Sequence, residues 1–335
     1  MEMLYPHMRE ELSEKKASSD SVNRRELLKK TAIAGGVLST TASVGVPVAE
    51  AVDVDTSSAI QAGIGEGYTT RSGETLKVRR LQTRKSFVYL PLPDAPAVHH
   101  SEDQQFLLAS IDASDFLNKS SPPQHSEFAL IVDGEAYTGR QNIGGVPMIE
   151  ITMADQSLDT PYTIPSDKKE PLAREQIHRS EIARGEVGFV IPAAANPSNA
   201  TLVWMPDSTE PRVAWKTNGG VVADIRYSPS FDIVSFDVPN VIDRNEQFDI
   251  SVTARNSGKR ESVLRAVLGP KEADHPRGME LRIPAGEEDT WSGTFQYPPA
   301  MPSNANEDAS EVTYRLTLGN TRTVERTAEL AGGRQ

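Results

Sequence analysis

Cysteine is absent from this chain of 335 residues. No disulfide can therefore brace a domain, and each domain has to hold together by packing alone. The same absence excludes the thiolate ligands of blue copper sites and iron–sulfur clusters. It also excludes a cysteine nucleophile and a lipid-bearing cysteine. The sequence predicts a protein without a cofactor.

Long hydrophobic runs and an excess of basic residues are missing as well. A membrane helix needs about 20 mostly apolar residues, and no segment here reaches that length uninterrupted. The 35 basic and 47 acidic residues give a net charge of −12, which repels phosphate backbones, so we expect no nucleic-acid partner. Arginine outnumbers lysine, and acidic chains of this kind are typical of salt-tolerant, haloarchaeal secreted proteins.

Sequence motifs of common enzymes do not occur. The chain has no Gly-x-Ser-x-Gly elbow, no His-Glu-x-x-His helix and no glycine-rich phosphate loop. A glycosidase needs two carboxylates at a defined separation, and no pattern places such a pair among the acids. We therefore predict a protein that is not an enzyme.

The N-terminal segment has the order of an export signal. Residues 31–48 carry no charge and are weakly apolar, and they follow a basic stretch. Ala49 and Ala51 then form the small-x-small pattern that signal peptidases accept. An amphipathic first helix is the alternative, but the Thr, Ser and Gly content of the run disfavours it. Cleavage would leave a mature chain that starts at Val52 and is not an integral membrane protein.

Just before this run, the residues Asn23 to Lys29 (NRRELLK) resemble the twin-arginine export motif. The positions that carry the resemblance are Arg24, Arg25, Leu27 and Leu28. The resemblance implies that the twin-arginine export machinery is a partner and that the chain crosses the membrane already folded.

Beyond residue 75 the chain is a series of short β-rich runs. No segment keeps a 3.6-residue apolar period, so the fold class is predicted to be all-β. In the C-terminal part four runs alternate apolar and polar side chains, and three further runs bring the number of predicted strands to seven within about 100 residues, as in an immunoglobulin-like sandwich. They are residues 231–238, 248–254, 262–268, 279–283, 291–297, 312–318 and 321–328.

Two stretches resemble known domain families. FDISVTARNSG followed by IPAGE, within residues 228–330, resembles the CARDB-type (cell-adhesion-related) immunoglobulin-like domains of prokaryotic surface proteins. GEVGFVIP followed by LVW resembles a secreted immunoglobulin-like domain of unknown function. These resemblances imply two tandem immunoglobulin-like sandwiches without catalytic residues. The predicted segments are a signal (1–51), a flexible tether (52–69), a first sandwich (70–218), a linker (219–230) and a second sandwich (231–330).

Histidines of the first predicted sandwich neighbour acidic residues, a combination that can bind zinc or copper. The candidate ligands are His99, His100, His125 and His178. None has helical His-x-x-x-His spacing, which favours ordinary solvated loop residues. The acidic loops 287–289 and 304–308 likewise offer oxygen ligands to calcium but lack the spacing of a calcium loop.

Tryptophans and sequons are the remaining candidates. Trp204, Trp215 and Trp291 either stack on a sugar or pack in a core, and their places in alternating strands favour the core. Asn118 and Asn199 begin Asn-x-Ser/Thr sequons and are candidate glycosylation sites on an exported chain.

Together these features predict an exported binding or adhesion module at the cell surface or in the medium. It would recognise an unknown surface protein or glycan through loops or exposed sheet edges. The alternatives are a metal-dependent or carbohydrate-active protein that uses the histidines or acids of the first sandwich, and a structural spacer.

Overall fold

A computed structural model describes residues 54–92, 95–155, 157–164, 183–207, 210–271, 276–297, 309–319 and 322–331. The predicted export segment, with Arg24, Arg25, Leu27, Leu28, Ala49 and Ala51, lies outside the described residues. The described part is built of short strands in several sheets, with two short α-helices, which confirms the all-β prediction. None of the helices in these ranges is long and apolar enough to cross a membrane.

The first sandwich is formed by thirteen strands and one helix between residues 60 and 216. They are β1 (Ile60–Gly63), β2 (Gly67–Thr69), β3 (Thr75–Arg84), β4 (Ser86–Leu92), β5 (Ala95–His100), β6 (Gln104–Asp112), β7 (Phe128–Val132), β8 (Glu135–Thr138), β9 (Asn142–Ile143), β10 (Val146–Pro147), helix α1 (Met148–Ala154), β11 (Arg184–Pro192), β12 (Ala200–Trp204) and β13 (Val213–Lys216). The 3-10 helices Ser114–Asn118 and His125–Glu127 precede β7. One sheet has the order β1-β13-β12-β7-β8 and the other β11-β6-β3-β2.

Strand β6 shows why the first sandwich lacks a clear alternation of apolar and polar residues in its sequence. Leu107 and Ala109 of β6 point into the core between the two sheets. Phe106 and Leu108, on the other face of the same strand, pack beneath Ile143 and the helix α1. Because both faces of β6 are covered, the strand is a continuous apolar run. The hairpins β4–β5 and β9–β10 and the helix α1 thus form a third layer over the β11-β6-β3-β2 sheet.

The second sandwich has eight strands: β14 (Phe231–Asp237), β15 (Val241–Asp243), β16 (Gln247–Asn256), β17 (Ser262–Pro270), β18 (Arg277–Ile283), β19 (Glu288–Gln296), β20 (Glu311–Thr317) and β21 (Thr323–Ala331). The sheets β14-β16-β19 and β15-β21-β20-β17-β18 face each other across one core. Ile250, Val252 and Ala254 are buried, as their alternation predicts. The seven predicted strands are present, and β15 is an additional short one.

The predicted flexible tether, residues 52–69, is wrong over its described part. β1 pairs in parallel with β13, with Ile60 opposite Val213, and β2 pairs with β3. The indole N–H of Trp215 donates to the Glu66 carbonyl at 3.2 Å. This pairing depends on a partner about 150 residues away, so local composition does not reveal it.

The predicted linker, residues 219–230, is also corrected. Gly219–Arg226 forms a helix, α2, rather than a glycine-marked break. The Asn218 side chain caps it by accepting the Val221 N–H at 3.0 Å, and Ile225 is completely buried against the first core. The cap and one buried anchor outweigh the poor helix propensity of the two glycines.

The two sandwiches touch through the third layer. Val88 of β4 and Val98 of β5 pack against Val267 of β17, with Ala154 at the edge of the contact. The described residues of both sandwiches belong to one compact unit. Because the two sandwiches pack together, residues from both can line a cleft at their junction.

Candidate functional site: a charged cleft between the sandwiches

His99 lies in an apolar pocket of the third layer. Its ring stacks on Phe87 with centroids 5.0 Å apart and tilts against Phe106. The Nε2 atom is buried without a hydrogen-bond partner, and the backbone of Gly144 passes so close to it that a Cβ there would overlap the ring. Burial lowers the pKa of His99, because it disfavours the charged form of the ring.

The other described histidines have different surroundings. His125 is buried in the first sandwich, where Nε2 lies 2.7 Å from the Tyr162 carbonyl oxygen. His100 lies against Gly319 of the second sandwich. The pKa of each is lowered, mainly by burial.

The structure does not gather these histidines into a metal centre. Within the described ranges, no three His, Asp or Glu side chains are placed so that they could hold an ion. His178 lies outside the described residues. Of the acidic loops, Glu287, Glu288 and Asp289 are exposed, and 304–308 is not described.

Trp204 and Trp215 are core residues, as expected from their strands. Trp215 is completely buried, and the Trp204 indole N–H donates to Glu127 Oε2 at 2.9 Å. Trp291 is partly buried against the second core and makes an edge contact with Phe295. Two of the three indoles are thus unavailable for stacking on a sugar.

The sequon at Asn199 lies in an exposed turn that leads into β12. The Asp133 carboxylate organises this turn by accepting the N–H groups of Ser198 and Asn199, each at 3.0 Å. Asn118 ends a 3-10 helix, and its side chain lies outside the described residues. Glycosylation at either asparagine stays a prediction.

A charged cleft lies between the sandwiches, with a volume of about 380 Å³. The first sandwich and α2 supply one wall, and β17 and β18 of the second supply the other. The charged residues that line it are Arg84, Lys85, Asp224, Arg260, Glu261, Arg265, Glu280 and Arg282.

At the base of the cleft two ion pairs lie side by side. Arg84 and Asp155 form a salt bridge in which both side chains are about 5% exposed. Burial raises the pKa of Asp155, but Arg84 and Ser157 outweigh that effect and leave the pKa below its ordinary value. Arg265 Nε donates to Glu280 Oε1 at 2.8 Å. Burial lowers the pKa of Arg84, and the nearby charge of Arg265 lowers it further.

The rim of the cleft holds two exposed pairs. Arg260 Nε lies 2.6 Å from Asp224 Oδ1 and so connects the segment before β17 to α2 across the cleft. Arg282 Nη1 lies 2.9 Å from Glu261 Oε1. Lys85 makes no ion pair with the described residues and donates instead to the carbonyls of Glu102 and Gln104. Burial lowers the pKa of Lys85, and Asp103 and Glu102 oppose that shift.

Sequence reasoning missed this cleft. Its arginines are spread from residue 84 to residue 282, and none belongs to a motif. One signal was present, because Arg265 and Glu280 are direct cross-strand partners of β17 and β18. That signal becomes readable only after the register of the hairpin is known.

A second set of charges is enclosed in the first sandwich. Glu186 is almost completely buried and accepts from Arg80 Nη2 at 2.9 Å. Burial raises the pKa of Glu186 even though Arg80 opposes the shift. Asp159 binds the same carboxylate through its backbone N–H at 3.3 Å. Neither acid lines the cleft, and their contacts are those of a structural ion pair.

Comparisons with known proteins give no family. No family model matches the chain, and no curated protein matches it. Among solved structures, a β-glucosidase from Erythrobacter marinus is 13% identical over 31% of this chain and 16% of its own, with a TM-score of 0.27. The chain thus spans about a sixth of that enzyme.

Two smaller solved structures are similar at the same low level. The CARDB domain of a Pyrococcus furiosus protein, in complex with di-metal ions, is 12% identical over 30% of this chain and 93% of its own, with a TM-score of 0.22. Fibronectin(III)-like modules of Clostridium thermocellum CbhA are 11% identical over 73% and 95%, with a TM-score of 0.20. Likeness of this degree assigns neither a family nor an activity, and membership of the CARDB type stays a prediction.

Proposed function

We propose that this chain is an exported binding protein of the cell surface or the medium, and that it recognises its partner without making or breaking bonds. The observation that carries the proposal is the cleft of about 380 Å³ with walls from both sandwiches. That volume lies in the range of ligand sites.

The lining of the cleft indicates the character of the partner. Sites for drug-like molecules are mostly apolar, whereas charged, hydroxyl and amide side chains dominate here. Such a lining supports a hydrophilic partner, either a surface protein or a glycan. The β-sandwich frame supports the same function, because rigid sheets hold their loops in a fixed arrangement.

Export is tested by the mass of the secreted form. We expect the secreted form to start at Val52. Replacement of both Arg24 and Arg25 by lysine should abolish export of the precursor. Lysine keeps the charge and the length, so a charge effect alone leaves export intact. An unprocessed chain that stays in the cytoplasm would contradict the proposal.

Binding is tested by sedimenting the exported protein with washed cell envelopes at increasing concentration. A binding module gives a saturable bound fraction, whereas a structural spacer gives only a small linear background. The same titration on envelopes treated with protease, or with periodate to oxidise sugars, separates a protein partner from a glycan.

A further inference from the structure

We propose that the cleft binds an acidic oligosaccharide, a chain of sugars that carries carboxylate or sulfate groups, and that Arg260, Arg265 and Arg282 hold those groups. This inference rests on the proposed binding function and names the chemistry of the ligand.

The first argument is charge. Five of the residues that line the cleft are basic (Arg84, Lys85, Arg260, Arg265 and Arg282) and three are acidic (Asp224, Glu261 and Glu280). The whole chain, by contrast, has 47 acids against 35 basic residues. A concave surface of this kind concentrates anions, because its walls limit screening by solvent.

The second argument is the number of open donors. A guanidinium has five N–H donors in a planar fork. Arg260, Arg265 and Arg282 each meet their carboxylate through a single nitrogen, namely Nε, Nε and Nη1. No other described residue accepts a hydrogen bond from these three guanidinium groups. The donors that remain match the two-oxygen edge of a carboxylate or a sulfate.

The third argument is the gradient of exposure along the cleft. The Arg265 side chain is 9% exposed, the Arg260 side chain 41% and the Arg282 side chain 70%. Positive groups therefore run from the base to the rim. A single small anion would occupy one of them, whereas an extended ligand with several acidic groups contacts them in succession.

The fourth argument is the lining between the arginines. Gln82, Thr83 and Ser262 place amide and hydroxyl groups there. Gln82 Oε1 already accepts from Arg84 Nη2 at 3.0 Å, which fixes its amide. Groups of this type pair with sugar hydroxyls and offer little to an apolar ligand.

The rim is able to rearrange for such a ligand. Exposed ion pairs contribute little to stability, so Arg260 and Arg282 can exchange Asp224 and Glu261 for a ligand carboxylate or sulfate at small cost. The buried Arg84–Asp155 pair stays in place and supports the base of the cleft.

The test is calorimetric titration of the exported protein with defined probes. They are a galacturonic acid trimer, its methyl ester, a heparin-derived tetrasaccharide and sodium sulfate, all at matched ionic strength. We expect one or both acidic oligosaccharides to bind, with an affinity that falls as salt rises. The methyl ester keeps the hydroxyls and loses the charge, so we expect it to bind at least about tenfold more weakly.

Variants locate the site. Arg260→Gln with Arg282→Gln should weaken binding about tenfold or more, whereas Arg212→Gln with Arg315→Gln should leave it unchanged. The control pairs are matched, since Arg212–Asp207 and Arg315–Glu325 are exposed ion pairs of 2.9 and 2.8 Å outside the cleft.

Three outcomes would overturn the inference. The first is that neither acidic oligosaccharide binds. The second is that sulfate alone competes as well as the oligosaccharides do. The third is that the cleft and control variants lose affinity equally. The proposed function is judged separately. If the Arg260/Arg282 double variant still binds envelopes saturably, the proposed binding function is retained, and the contact surface lies elsewhere than the cleft.

Discussion

The two sandwiches differ in how many layers they have. In the first, β6 is covered on both faces, by the facing sheet and by the layer that holds α1. In the second, β16 is buried on one face, while Ser251 and Thr253 on the other face remain accessible. An extra layer removes the polar face of a strand and with it the alternation that identifies the strand in sequence. It also permits charges to be buried, as in the Arg84–Asp155 pair.

The largest expected difference is in the unfolding free energy lost when a buried ion pair of the first sandwich or an exposed ion pair of the second is broken. Asp155→Asn leaves Arg84 charged and buried, which costs about 3–5 kcal/mol of unfolding free energy. Glu325→Gln removes the partner of Arg315 in the second sandwich, where both side chains are about 36% exposed, and should cost less than about 1 kcal/mol. Urea unfolding of each variant measures the two losses. Equal losses would mean that the first sandwich does not bury its pair.

A smaller contrast is expected between outward positions of two central strands. Leu108→Ala on β6 opens a cavity beneath the third layer and should cost about 2–5 kcal/mol. Thr253→Ala on β16 removes a methyl group and a hydroxyl from an accessible face and should change stability by about 0.5 kcal/mol or less. Thermal or urea unfolding reports both values. If Leu108→Ala proves as mild as Thr253→Ala, the third layer does not cover β6.

The smallest expected difference between the two sandwiches is in how their stability depends on pH. The pKa of His99 in the folded state lies below its ordinary value of 6.5 because the ring is buried. Its stabilising contribution is therefore complete above about pH 6.5 and is lost as the pH falls, since the unfolded state then binds the proton more readily. His100 and His125 act in the same direction, whereas no described residue of the second sandwich is a histidine.

The measurement is unfolding free energy from about pH 7.5 down to about pH 5.5, in the wild type and in His99→Phe. We expect the loss of stability on acidification to be smaller in the variant, because phenylalanine keeps the aromatic contacts and cannot take a proton. An unchanged slope would show that protonation of His99 is not coupled to unfolding.

Much of the second sandwich could be predicted from sequence, and the reason is physical. Its strands have one wet face, so Ile250, Val252 and Ala254 stand out by their two-residue period. In the first sandwich, "QFLLASID" and "FALIVD" indicate buried strands, but a buried run does not say which layers cover it. The third layer therefore required the structure.

The errors share one cause, which is dependence on distant partners. β1 is a strand because β13 lies beside it. α2 has a local cap at Asn218, but its anchor is Ile225, which reaches the first core. The cleft depends on the same kind of long-range contact, since its arginines come together only when the two sandwiches pack. The candidate histidines were found by residue type, and the structure places the three that it describes in three separate environments.

Parallel pairing at the edge of each sandwich has a mechanical consequence. β1 runs parallel to β13, and β15 runs parallel to β21. A force that pulls the two ends of a sandwich apart acts along these neighbouring strands in opposite directions. The hydrogen bonds between them are then loaded in shear and share the force, instead of opening one after another. In the first sandwich these are the first and last strands, so the clamp lies where tension enters; in the second, β14 precedes β15, and the β15–β21 clamp lies behind it.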